Sequence, residues 1–329
     1  MTHHISSRRR ALGTLGALGA AAALAPLTAR AQAFPNKSIK VLVPYSPGGG
    51  ADVNCRLITQ YMGTALGQTF VIDNRTGASG MIAGQAAVQA APDGYTMLYD
   101  TFPFAVNAAV RKMSYNPLKD LVAVSQAVNM PNFLLVPASA PYKTIKEFIA
   151  YAQANPGKLS FASYGAGGTA HLAGELLRNE AKIDWLHVPY KGGAPAITDL
   201  IAGQVSAFFG NPISGLPFVT SGKLRALAVT SAKRMEALPD VPTMMESGFK
   251  DFEVVEWNGF FLPAATPKAI VNKLAAAVHT AVEVPEVRKQ MISKGIEPVG
   301  NSPEEFAKFV QGQVARWGAL VKSNNITLE

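Results

Sequence analysis

The chain has 329 residues, with 30 Lys and Arg against 22 Asp and Glu, a formal net charge of +8 and 48% hydrophobic residues. That length and apolar content supply two cores of ordinary domain size and exclude a disordered chain, and a single cysteine, Cys55, excludes an intramolecular disulfide. Four arginines and no acid fall within residues 1–33, so the remainder carries only +4; with no Lys/Arg run interleaved with aromatics, nucleic acid is excluded as a partner.

The first feature in chain order is an address. Ser7 to Leu12 read S-R-R-R-A-L, an apolar Gly/Ala-rich stretch follows over 13–27, and Ala31-Gln32-Ala33 completes an A-x-A cleavage site. This predicts a cleaved signal peptide over 1–33, of twin-arginine type because Arg8 and Arg9 follow Ser7. Its apolar middle of about fifteen residues is short of the roughly twenty that span a bilayer. No cysteine follows the leader, so no lipid anchor is expected. The mature chain should begin at Phe34, lie in the periplasm and not be embedded in the membrane.

From there, short β-rich runs alternate with longer amphipathic ones, the habit of an α/β fold. Strands are expected over 39–45, 70–73, 96–100, 133–136, 159–163, 186–189, 207–209 and 224–230. Helices are expected over 52–66, 144–155, 170–179, 194–202, 267–282 and 303–323, the last with Ser302 as its cap and acids in its first turn. Cys55 reads as a small buried residue.

One unit occurs twice. Lys40 to Arg56 read K-V-L-V-P-Y-S-P-G-G-G-A-D-V-N-C-R, and Leu159 to Glu175 read L-S-F-A-S-Y-G-A-G-G-T-A-H-L-A-G-E. Each is a strand, a glycine-rich turn and a helix start. Such a turn aims unpaired backbone N–H groups and the positive end of a helix dipole at one point, which favours an anion. Neither turn carries Lys or Arg, so an anion would be held by amides and hydroxyls. Gly165 to Ala170 also fit the dinucleotide fingerprint G-x-G-x-x-A, which makes an exported NAD(P)-dependent oxidoreductase the rival reading. The acid that should end the next strand is missing: Asp184 has the spacing but precedes the strand.

No G-x-S-x-G elbow or complete P-loop occurs, and His171, His187 and His279 stand apart without metal-ligand spacing, so neither enzyme activity, cofactor nor metal is expected. His171 belongs to a site or its surroundings, whereas Glu175, one helical turn on, reads as a structural partner.

At this point the motifs resemble a known family. V-P-Y-S-P-G-G-G-A-D (43–52), N-R-T-G-A-S-G (74–80), A-P-D-G-Y-T (91–96), S-Y-G-A-G-G-T-A-H-L-A-G-E (163–175), H-V-P-Y-K-G-G-A-P-A (187–196), L-P-D-V-P-T (238–243) and G-F-F-L-P-A-A-T-P (259–267) stand in the order and spacing of the Bug-type periplasmic solute receptors, the binding components of tripartite tricarboxylate transporters. The resemblance implies a two-lobed, type II-like Venus-flytrap binding protein, monomeric, that passes a small carboxylate to the membrane components of its transporter. Lobe 1 would combine 34–132 with 255–329, and lobe 2 would be 133–254. One jaw would be Tyr45, Ser46, Gly49, Gly50 and Ala51, with Asp52 shaping the loop and Ser79 and Gly80 flanking it. The other would be Gly165, Ala166, Gly167, Gly168, Thr169 and His171, with Asn211 beside it. Gly210 stands where the family commonly has an acid, leaving space in the expected cleft. Phe102, Phe209 and Trp257 lie in segments that the family fold brings there, so an aromatic dicarboxylate such as terephthalate is expected over citrate.

Overall fold

A computed structural model of the chain describes residues 34–190, 192–324 and 326; the signal peptide expected over 1–33 and the side chain of Lys191 lie outside the described residues. Both sheets belong to one compact unit that starts at Lys37.

β1 (Ile39–Val43) leads into α1 (Gly50–Leu66), β2 (Phe70–Asn74), a single 3₁₀ turn at Ala78–Gly80, α2 (Met81–Val88), β3 (Thr96–Thr101), α3 (Pro103–Val110), α4 (Pro117–Asp120) and the long β4 (Leu121–Pro131). After Asn132 come β5 (Phe133–Pro137), α5 (Ile145–Ala154), β6 (Leu159–Ser163), α6 (Thr169–Ala181), β7 (Trp185–Pro189), α7 (Gly193–Ile201), β8 (Ala207–Gly210), α8 (Pro212–Thr220) and β9 (Leu224–Val229). The chain returns through β10 (Val255–Pro263), α9 (Lys268–Glu283), α10 (Pro285–Ser293), β11 (Glu297–Pro298) and α11 (Pro303–Ser323).

These strands make two sheets, ordered β11-β4-β10-β3-β1-β2 and β7-β6-β8-β5-β9. In the first, β1 runs parallel to β2 and β3, while β10 is antiparallel to β3 and β4. In the second, β6 runs parallel to β7 and β8, while β5 is antiparallel to β8 and β9. Each sheet therefore presents the carboxyl ends of a parallel strand trio, where open α/β sheets bind ligands. The chain passes between the sheets at Asn132 and again over 230–254. Thr230 knots the two passages: its N–H donates to the Asn132 carbonyl (2.8 Å), its hydroxyl donates to the Val254 carbonyl (2.6 Å), and its oxygen accepts the Asn132 N–H (2.9 Å).

The helix over Pro303–Ser323 has the expected bounds, and Ser302 and Glu305 close a reciprocal capping box at its start. Cys55 is buried on the inner face of α1 with Ile58 and Met62, at helical spacing. Two long strands have no counterpart among the expected elements. β4 is buried along nearly its whole length, so Ser125, Gln126 and Asn129 break the alternation that marks a strand. β10 is bounded by Pro263 and contains Gly259, both strand-breaking residues, and it sits in the centre of the first sheet. The helices α2, α3, α4, α8 and α10 were not expected either. α8 even holds Pro217 in its interior, where proline removes a backbone donor.

Candidate functional site

Both glycine-rich turns are built the same way. After β1, Gly48 takes a left-handed φ of +78° and its N–H donates to Asp52 Oδ2 four residues on (2.9 Å). After β6, Gly167 takes a φ of +80° and its N–H donates to His171 Nδ1 four residues on (3.1 Å). Gly49 N–H then donates to Ser46 O and Gly168 N–H to Gly165 O, and the first helical bonds run from Val53 N–H to Gly49 O and from Leu172 N–H to Gly168 O. Glycine is the N-cap of each helix, so no side chain caps the first turn. A Ser, Asp or Asn there would satisfy those amides itself. As it stands, the N–H groups of Gly50, Ala51 and Asp52, and of Thr169, Ala170 and His171, have no partner among the described residues. Two helix N-termini thus leave six donors open to an anion.

The acceptors that set each turn differ in charge. Burial alone would raise the Asp52 pKa, but hydrogen bonds from Arg56 (2.9 Å), Gly48 N–H and Asn74 (2.9 Å) outweigh it and hold the carboxyl below the usual range. Asp52 is therefore ionised, and its charge is spent on Arg56 and the loop. His171 is neutral: burial, then His187 and Arg178, push its pKa down to about 3. Because Nδ1 accepts from Gly167, its proton sits on Nε2, which faces Glu175 Oε1 at 3.9 Å. His187, lowered to about 4 by burial and Arg178, stacks on His171 with ring centroids 4.0 Å apart. Its Nε2 lies 2.6 Å from Ser163 Oγ, which accepts the Gly165 N–H (3.0 Å). The imidazole pair thus fixes the second turn from behind. Glu175 is taken by Arg178 (2.7 Å) and does not face the turn's open amides as an acid.

The remaining polar groups form a floor. Tyr45 OH donates to Asp100 Oδ1 (3.1 Å) and lies 2.5 Å from Thr101 Oγ1, so the tyrosine points down onto the end of β3. Asp100 is 2% exposed, and burial raises its pKa to about 7 against the opposing bonds from Thr101 N–H and Tyr45. Glu256 of β10 is raised to about 7 in the same way, with a hydrogen bond from Asn211 opposing burial. Asn211 caps α8 by accepting from Ser214 N–H, and its own N–H donates to Tyr164 OH (2.8 Å). Asp100 and Glu256 were not expected here: Asp100 follows the apolar run Met97-Leu98-Tyr99 in β3, a signal that was available, whereas Glu256 lies in the strand that the sequence did not show. Ser79 and Gly80 follow the first turn in space through Asp100, whose Oδ2 lies 3.3 Å from where a Gly80 Cβ would stand. Ser79 holds a strained φ of +51°, with its carbonyl pinned by Asn107 Nδ2 (2.7 Å). A Cβ on Gly50 would come within 3.3 Å of Ile213 Cδ1, which brings the start of α1 against the start of α8.

The aromatic walls require correction. Phe102, Phe209 and Trp257 are all 0% exposed. Phe102 meets Trp317 edge-on, Phe209 stacks on Phe252, and Trp257 is ringed by Phe104, Phe306 and Phe309. Each ring removes more apolar area from water in a core than it could at an open cleft. The space expected at Gly210 is also filled, since a Cβ there would run into Leu135 Cδ1 at 2.8 Å and the Phe208 ring at 3.2 Å. A groove of about 780 Å³ between α1, α8 and α10, lined by Val53, Leu57, Ile213, Leu216, Pro217 and Met291 among others, lies beside the turns and includes none of their glycines. The rival dinucleotide reading lacks its acid, because Asp184 stands before β7 and its carbonyl accepts from Gly157 N–H.

Known proteins are similar to this chain over most of its length. A family model described as "Tripartite tricarboxylate transporter family receptor" matches residues 55–326. Protein BugT of Bordetella pertussis is 34% identical over 326 residues, covering 97% of this chain and 99% of that protein. A Rhodopseudomonas palustris protein solved with adipate superposes with a TM-score of 0.83 at 34% identity, over 89% of this chain and 99% of the other. MatC of the same organism, solved with bound malate, gives a TM-score of 0.78 at 34% identity over 88% and 100%. The two-sheet α/β architecture is that of periplasmic binding proteins.

Proposed function

The chain belongs to the tripartite tricarboxylate transporter receptor family, and we propose that it captures a small carboxylate between the two glycine-rich turns and delivers it to the membrane components of a tripartite transporter. The observation that carries this reading is the set of six open first-turn amides on two glycine-capped helices, one beside each sheet. Relatives carry adipate and malate, whose carboxylates suit such donors. The working unit is a periplasmic receptor without turnover. Its lobes, 34–132 with 255–329 and 133–254, close by bending at the Asn132–Thr230–Val254 knot. No helix among the described residues is long and apolar enough to cross a membrane. Terephthalate, the finer expectation, has lost both its supports, the aromatic walls and the space at Gly210; it is kept as one arm of the test.

That test is a thermal-shift series on the purified mature protein with adipate, malate, citrate, glutamate, benzoate and terephthalate, and with NAD as control. A carboxylate that binds only the folded state at a hundred times its Kd adds about 2.7 kcal/mol, a shift of several degrees. At least one acid should raise the midpoint and NAD should not. A response to NAD alone, or steady chemical conversion of a bound acid, would overturn the reading.

A further inference from the structure

The two turns offer backbone amides and hydroxyls but no lysine or arginine, yet the floor beneath them is acidic. Asp100 and Glu256 take part in none of the ion pairs among the described residues, and no cation lowers either of them. Asp100 Oδ1 accepts from Tyr45 OH and from Thr101 N–H, while Oδ2 has no partner among the described residues and stands against Gly80. Glu256 follows from the register. Thr101, the last residue of β3, pairs with Asn258 of β10, so Glu256 lies two residues beyond the end of β3, on the same strand face as Asn258. Asn258 on that face accepts from Asn54 of α1 and from Tyr99, so Glu256 sits further toward the start of α1 and its open amides. Tyr45 is the common neighbour, bonded to Asp100 and sensitive to the charge on Glu256.

A second observation stands apart from the acids. Asn132 is 0% exposed, and neither its Oδ1 nor its Nδ2 has a partner among the described residues. Phe133 pairs with Gly210, so the register sets Asn132 beside Asn211, the residue that hydrogen-bonds Glu256. Buried amides are almost always satisfied, and one left open at a cleft floor is a contact waiting for a polar ligand group.

We propose that this floor reads a cation: with the ligand's carboxylate on the turn amides, its far end is an ammonium held by Asp100 and Glu256, and the preferred ligand is an amino-carboxylate rather than a dicarboxylate. This rests on the cleft reading above and deepens it. The second charge of a dicarboxylate would face two acids with no lysine or arginine among their described partners, whereas an ammonium brings three donors for Asp100 Oδ2, Glu256 and Asn132 Oδ1. Tyr45 and Thr101 then position Asp100, and Asn211 positions Glu256.

Calorimetry at about pH 8, where both acids are largely ionised, tests it with matched pairs that differ only at the far end: β-alanine against succinate, γ-aminobutyrate against glutarate, and para-(aminomethyl)benzoate against terephthalate. In at least one pair the amino member should bind about tenfold tighter or more, and Asp100→Asn and Glu256→Gln should each shrink that preference toward parity. Glu256 is half-buried, so its variant keeps the test valid should Asp100→Asn fail to fold, which circular dichroism reports. Dicarboxylates that bind as well as or better than their amino partners, or a preference unmoved by both variants, overturn the proposal and leave carboxylate capture standing. No binding by any member of the three pairs and by none of the acids in the thermal series overturns the cleft reading and the inference with it.

Discussion

Gly167→Val is expected to weaken carboxylate binding by about a hundredfold or more, equivalent to roughly 2.8 kcal/mol, while the protein stays folded. Gly167 holds a φ of +80°, a region that costs an ordinary L-residue about 1–2 kcal/mol and a β-branched one more. Valine would leave that region, and the N–H that now donates to His171 would turn away. The amides of Thr169, Ala170 and His171 would then no longer converge. Gly48→Val should do the same to the first turn through the lost bond to Asp52. The neighbouring glycines act differently. Gly168 has an ordinary φ of −79°, so Gly168→Val loses no backbone conformation and should harm binding less, by crowding alone. Gly50→Val meets Ile213 and should hinder approach of α1 to α8. Titration calorimetry gives the ranking; affinities unchanged in both Gly48→Val and Gly167→Val would remove the two-turn seat.

Trp257→Ala should cost about 3–5 kcal/mol of stability, the usual penalty for emptying a large buried aromatic, and leave the affinity of the folded fraction nearly unchanged. Trp257 is fully buried among Phe104, Phe306 and Phe309, facing away from the floor that Glu256 and Asn258 occupy. Denaturant unfolding measures the loss. A loss below about 1 kcal/mol together with weakened carboxylate binding would return this ring to the ligand site and contradict the core assignment.

The backbone of the candidate site was legible because the same unit of strand, glycine cluster and helix start occurs twice in the chain, although one such turn alone is commonly no more than a tight turn. The i+4 acceptors Asp52 and His171 were visible as residues, but their equivalence was not. One is a carboxylate and the other an imidazole, and only the bonds from Gly48 and Gly167 show that they play one part. The strands β4 and β10 escaped because a strand buried on both faces loses its alternation, and Glu256 escaped with β10. The rings misled for a simple reason: a sequence shows that Phe102, Phe209 and Trp257 lie in segments near the cleft, but the side to which each points depends on strand register and on partners such as Trp317 and Phe252, which are far away in the chain.

Backbone amides that hold a carboxylate at two helix starts must change their chemical environment when the ligand binds. Amide chemical shifts followed by NMR during titration with a carboxylate that scores in the thermal series test it most directly. The largest shifts are expected at Gly50, Ala51 and Asp52 and at Thr169, Ala170 and His171, both sets saturating together with one Kd. Shifts confined to the groove between α1, α8 and α10, at Leu57, Leu216 and Met291, with those six amides unmoved, would contradict it.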